Sequence, residues 1–149
     1  MKMYDKVIFI CKENLSQSPM AEWIFKSIIM ETNVEVVSRG LVVLFPEPYN
    51  AKLANILKLH GVPYEEGVSH VFDILEVTDN TLLITMSSME KIKMVEDYAI
   101  ADDIYTLKEF AGEEGDVLDP YGMEDEGYEA CYTELKDLLY KLKKRLEMK

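Results

Sequence analysis

Apolar and polar positions follow two rhythms along the chain. Short runs rich in apolar and β-branched residues occupy positions 7–10, 34–38, 81–85 and 104–107, with the length and composition of strands. Between and after them, apolar residues recur at helical spacing. Residues 19–30 place Met20, Ile24 and Ile28 on one line and Ala21, Phe25 and Ile29 on the next. A helix that is apolar nearly all round is mostly covered. Leu53, Ile56, Leu57 and His60 keep the same spacing, and Gly61 supplies a stop. A further helix is expected over about residues 88–98. The longest stripe joins Tyr128, Cys131, Tyr132, Leu135, Leu138, Leu139, Leu142 and Leu146, with lysines near its C-terminal end, where they suit the helix dipole.

Strands alternating with helices imply βαβ units and a parallel sheet wound with right-handed crossovers. Ligands of such sheets bind at the carboxyl ends of the strands. Cys11, Ser38-Arg39 and Thr85-Met86 all follow expected strand ends, which puts them on one rim. No linker, repeat or low-complexity tract interrupts the 149 residues, and one domain over 1–149 is expected.

Charge and composition narrow the partners. A formal net charge of −12 argues against nucleic acid and anionic membrane. It also disfavours long-range steering of a phosphorylated substrate, unless the charge is kept away from the site. Arg39 and Arg145 are the two arginines, so guanidinium chemistry has few candidates. The two cysteines, Cys11 and Cys131, form no C-x-x-C, and His60 and His70 join no cluster, so neither metal nor other cofactor is expected. No apolar run approaches the ~20 residues of a membrane-spanning helix, and residues 7–10 are too short for a signal segment. A cytoplasmic protein is the expectation.

The chemistry concentrates where residues 7–10 run into Cys11, a polar loop follows, and Ser18-Pro19 opens a helix with Ser18 as its cap and Pro19 at its first position. A thiol there lies beside the backbone N–H groups of a helix N-terminus, where anions bind and thiolates are stabilised. A free cysteine is commonly just a small buried hydrophobe, and that reading suits Cys131 on its apolar stripe. At a strand–loop–helix junction the functional reading of Cys11 is the stronger. Taken alone, Asp119-Pro120-Tyr121-Gly122 is a turn sequence. Glu124, Asp125 and Glu126 read as acids at the start of the last helix. His60 at a helix end needs no catalytic role, and His70 takes no assignment.

The run Cys11-Lys12-Glu13-Asn14-Leu15-Ser16-Gln17-Ser18-Pro19 resembles the phosphate-binding loop of the low-molecular-weight protein tyrosine phosphatases, whose pattern is Cys, five residues, Arg, Ser, Pro. Further similarities follow in family order: Ser38-Arg39-Gly40 after the second strand, His60-Gly61-Val62-Pro63 after a helix, Leu83-Ile84-Thr85-Met86, and Asp119-Pro120-Tyr121. The resemblance implies a three-layer α/β fold of the phosphotyrosine phosphatase I type. Its four-stranded parallel sheet has the order 2-1-3-4, with helices on both faces. It also implies hydrolysis of a phosphorylated protein or small aryl phosphate through a cysteinyl-phosphate, with Cys11 as nucleophile and Asp119 as general acid and base. Residues 12–18 would form the phosphate cradle, Asn14 and Ser18 tying it together, and Tyr121 would wall the pocket.

The chain departs from the family pattern at Gln17, which stands at the arginine position. A neutral amide cannot repeat the bidentate grip of a guanidinium. Glu13 adds a carboxylate where glycine is common in the family, and Ser16 replaces a second cysteine found in many members. Lys12 and Arg39 are the two candidates for a compensating charge, although a solvated surface residue is the stronger reading of Arg39. Residues 41–45 are apolar where the family has its substrate-recognition loop. They line a pocket, form a homodimer contact, or pack as an extra edge element. The implied activity is therefore weakened phosphomonoester hydrolysis, and the alternative is a catalytically silent module that binds a phosphoprotein or anion. The related arsenate reductases fit less well, since their relay needs further cysteines after the first.

Overall fold

The computed structural model describes residues 3–29 and 32–147. Met30, the expected end of the first helix, lies outside them. Four parallel strands, β1 (Lys6–Cys11), β2 (Glu35–Gly40), β3 (Thr81–Thr85) and β4 (Ile104–Thr106), form one sheet in the order β2-β1-β3-β4. Helices α1 (Gln17–Ile28), α2 (Ala51–Leu59), α3 (Ser88–Tyr98), α4 (Leu107–Phe110) and α5 (Asp125–Glu147) cover it. The architecture and strand order are those expected from the sequence.

β1 is buried on both faces, which is why it reads as an unbroken apolar run. Its side chains alternate between two cores. Val7, Phe9 and Cys11 join the larger one with α1, α2 and α5, whereas Ile8 and Ile10 meet Leu83, Met94 and Ile104 under α3. Cys11 thus projects towards the face that carries α1. On β2 the same alternation sends Val36 to the α1 side and Val37 to the α3 side, so Ser38 and Arg39 part in the same way.

α5 has a charged outer face and stays on the sheet through its stripe. Tyr128, Cys131, Leu135, Leu138, Leu139 and Leu142 are all fully or nearly fully buried. Each such leucine contributes about 1.5–3 kcal/mol from burial. Those contributions outweigh the ~0.2–0.5 kcal/mol of any one surface pair along the helix.

Two boundaries differ instructively from the sequence reading. β2 runs on to Gly40, which pairs with Cys11 of β1 on one side and with residues 70–72 on its outer edge: Gly40 N–H donates to His70 O and Phe72 N–H to Gly40 O, each at 2.8 Å. α1 begins at Gln17 with Ser16 as its cap residue, not Ser18. Ser18 and Pro19 lie inside its first turn, where the missing N–H of proline costs nothing. Among the described residues, no helix is long and apolar enough to cross a membrane.

Candidate active site

The loop between β1 and α1 is organised by Asn14. Its backbone has a φ of 58°, a left-handed conformation that asparagine tolerates better than most residues. This turns the Asn14 N–H onto Cys11 Sγ at 3.3 Å. The side chain, fully buried, binds in three directions: Nδ2 donates to Ser18 Oγ and Ser38 Oγ, and Oδ1 accepts from His70 N, all at 2.9 Å.

Donor directions through the network follow from its ends. Lys26 Nζ donates to Glu22 at 2.6 Å, and Ser38 Oγ donates to the same carboxylate at 2.6 Å. Ser38 therefore presents a lone pair to Asn14. Ser18 Oγ also accepts from Asn14 Nδ2, and it lies 2.9 Å from Cys11 Sγ, where either atom can supply the hydrogen, and 3.5 Å from Arg39 O, to which it can also donate. Ser18 does not cap α1: its hydroxyl is engaged with Asn14, Cys11 and Arg39 O instead. Ser16, the actual cap residue, points its hydroxyl at Tyr128 OH, 3.0 Å away on α5.

Gly40 closes the loop from below. A Cβ there would stand 2.9 Å from the backbone of Glu13 and 2.8 Å from Val43, so only glycine lets the loop lie across the end of β2. Leu41 and Val42 then donate to Cys11 O and Lys12 O at 3.1 and 2.8 Å, which binds residues 41–42 alongside the loop. Val42, Leu44 and Phe45 are exposed beyond them.

Burial pushes the Cys11 thiol above its ordinary value, and the charge of nearby Glu90 adds to this. Hydrogen bonds from Ser18 and the Asn14 N–H act the other way without reversing it. Glu90 accepts from the N–H groups of Met86 and Ser87 at 3.0 Å. Burial, with a further contribution from Asp119, lifts its carboxyl to about 7.

Above the sulfur lies a pocket of about 280 Å³. Its lining brings together Cys11, Lys12, Glu13, Leu15, Ser16 and Gln17 from the loop with Asp119 and Tyr121 from the turn before α5. Asn14 and Ser18 lie beneath it, fully buried. Asp119 is exposed, and its Oδ1 accepts from Tyr121 N at 3.0 Å, which holds the turn. Gln17 does not point freely into the pocket; its Nε2 donates to Val117 O and Leu118 O at 3.2 and 3.1 Å.

Arg39 is neither solvated nor among the residues lining this pocket. It lies on the opposite face of β2 from Ser38 and binds Glu76. Lys12 is exposed at the pocket rim. His60 stacks on Tyr132 at 3.8 Å and meets Glu129 at 2.8 Å, and Cys131 is core, as read from the sequence. A larger hollow of about 550 Å³ between α3 and residues 106–115 holds no residue of the cysteine loop. Among the described residues, no three His, Cys, Asp or Glu side chains are grouped to hold a metal ion. Sequence reasoning missed Glu22, Glu90 and the backbone of His70. Glu90 belongs to a local pattern, the Ser87–Glu90 capping box, but each of the three reaches the site only through the fold.

The model of the low molecular weight phosphotyrosine protein phosphatase family matches residues 6–149. The low molecular weight protein-tyrosine-phosphatase PtpB of Staphylococcus haemolyticus is 30% identical over 138 residues, spanning 93% of this chain and 97% of that protein. The solved low molecular weight protein tyrosine phosphatase from T. tengcongensis superposes with a TM-score of 0.87 at 34% identity, covering 93% of this chain and 97% of its own. The YwlE arginine phosphatase from Geobacillus stearothermophilus gives 0.88 at 29% identity, covering 95% and 92%. Agreement in sequence and in fold along nearly the whole length admits one assignment: this chain belongs to the low molecular weight phosphotyrosine protein phosphatase family.

Proposed function

We propose that the chain hydrolyses phosphomonoesters, phosphotyrosine or a small aryl phosphate, through a cysteinyl-phosphate on Cys11. The observation that carries this reading is the convergence of Cys11 Sγ, its Ser18 and Asn14 donors, and Asp119 on one pocket. The Cys11 thiolate attacks phosphorus in line, and the bond to the phenolic oxygen breaks as Asp119 gives that oxygen a proton. Asp119 Oδ1 accepts from the Tyr121 N–H, so the proton rides on Oδ2. In the second step a water attacks phosphorus and passes its proton to Asp119. The S–P bond breaks, and phosphate leaves. The Ser18 hydroxyl stabilises the departing thiolate. Backbone N–H groups of residues 12–18 hold the equatorial oxygens, Lys12 supplies the loop's positive charge, and Tyr121 walls the aromatic ring.

Gln17 weakens this chemistry. Its NH₂ is engaged with two carbonyls, and it brings no charge. One preorganised donor is worth ~10²–10³ in rate, and a transition-state arginine ~10³–10⁵. Glu13 at the rim opposes an incoming dianion as well. These two residues favour the second reading, a silent module that binds a phosphoprotein or anion without turnover.

Acid quenching during reaction with an aryl phosphate separates the two. The first reading predicts one added phosphoryl group on Cys11 by peptide mass spectrometry, absent in Cys11→Ser. Bound phosphate by calorimetry with no phosphocysteine and no released phenol would establish the second. An arm with phosphoarginine peptides asks whether the chain shares the activity for which the Geobacillus relative is named.

A further inference from the structure

Gln17 is buried to all but 6% of its surface, and its amide orientation is forced. Both neighbours of its end group are carbonyl oxygens, Val117 O at 3.2 Å and Leu118 O at 3.1 Å, and only the NH₂ end can satisfy them. Those carbonyls belong to the two residues immediately before Asp119. Their N–H groups are held elsewhere: Val117 N donates to Met86 O at 3.0 Å, and Leu118 N to Glu134 Oε1 on α5 at 2.7 Å. The segment is thus anchored to Met86, just after β3, and to α5 on one side and to the first turn of α1, through Gln17, on the other. After Leu118 the chain enters the Asp119–Tyr121 turn.

We infer that Gln17 is a positioning residue for general-acid catalysis, acting through the Val117–Leu118 backbone to hold Asp119 over Cys11. This rests on the phosphatase reading above and assigns position 17 a task other than phosphate binding. Gln17 joins the cysteine loop directly to the acid-bearing segment. A displacement near 1 Å of a reacting group costs ~10² in rate. The same commitment leaves no side-chain N–H at position 17 for a phosphoryl oxygen.

The test uses Gln17→Met, which keeps the volume and removes the donor, and Gln17→Arg, which keeps donors for the two carbonyls. Hydrolysis is measured over a series of aryl phosphates from 4-nitrophenyl to phenyl. A proton from Asp119 matters most for the poorest leaving group. Gln17→Met is expected to lose about tenfold or more on phenyl phosphate and little on 4-nitrophenyl phosphate. In an Asp119→Asn background it should add no leaving-group dependence. A loss equal across the series, or the same extra loss without Asp119, overturns the inference while leaving the phosphatase reading intact.

Hydrogen exchange supplies a readout independent of turnover. The amides of Leu118, Asp119 and Tyr121 should exchange faster in Gln17→Met and at the wild-type rate in Gln17→Arg. Unchanged exchange in Gln17→Met overturns the latch. Faster exchange in a protein that hydrolyses none of the phosphates would instead remove the catalytic role and the phosphatase reading together.

Discussion

Arg39 and Glu76 face each other through three hydrogen bonds, Nε to both carboxylate oxygens at 3.0 Å and Nη2 to Oε1 at 2.7 Å. Arg39 Nη1 donates to Ser38 O at 2.7 Å, which holds the guanidinium against β2. Burial alone would raise the Glu76 carboxyl, but the bonds and charge of Arg39 outweigh it and hold the group below its ordinary value. A lowered carboxyl contributes stability above its unfolded pKa and loses it as pH falls through the folded one.

Arg39→Met should therefore leave aryl phosphate hydrolysis unchanged and reduce unfolding free energy at neutral pH by about 1–3 kcal/mol, since Glu76 is left half-buried without its partner. The penalty should shrink below pH 4.5, the carboxyl's ordinary value, as Glu76 protonates. Loss of hydrolysis at unchanged stability would mean that the guanidinium serves the pocket after all.

Cys11 should behave as a poorly ionised thiol. Its pKa is raised by burial, so the thiolate fraction climbs through the neutral range. Alkylation by iodoacetamide is expected to accelerate about tenfold per pH unit from pH 6 to 8, because only the thiolate reacts. Cys11→Ser should abolish labelling, as Cys131 is fully buried. A plateau below pH 7 would show that the loop depresses the thiol despite lacking an arginine.

Glu90 carries a stability cost that depends on pH. Its carboxyl rises from 4.5 to about 7 on folding, chiefly through burial. The folded state then binds more protons than the unfolded state between those values, so stability falls as pH rises from 4.5 through 7. Glu90→Gln keeps an oxygen for the Met86 and Ser87 N–H groups and removes the titration. Urea unfolding should find it more stable than wild type at pH 7.5 by on the order of 1–3 kcal/mol, with the difference gone at pH 4. Parallel pH profiles for the two proteins would refute the assignment.

How much was legible beforehand depended on how local each cause is. β3 and α3 fall where the apolar run 81–85 and the helical pattern 88–98 put them, because burial on both faces and a Ser87–Glu90 capping box are local facts. The start of α1 was misread, since Ser-Pro has the form of a cap while the Ser18 hydroxyl is claimed by a thiol seven residues back. Arg39 found its carboxylate 37 residues away, and Gln17 its carbonyls 100 and 101 residues away. No window of sequence contains such pairs. The edge addition of residues 70–72 was invisible for the same reason: backbone groups of His70 and Phe72 make it, and these carry no side-chain signature.

Steady-state hydrolysis of an aryl phosphate by wild type and by Gln17→Arg, each with and without Cys11→Ser, decides whether position 17 limits turnover on Cys11. Arginine offers N–H donors for Val117 O and Leu118 O and brings a positive charge to position 17. Wild-type turnover should be weak, and Gln17→Arg should gain ~10² or more, a gain abolished in the Cys11→Ser background. Wild-type turnover already equal to that of an arginine-bearing relative would contradict that expectation, as would a Gln17→Arg protein with the loop intact and no gain.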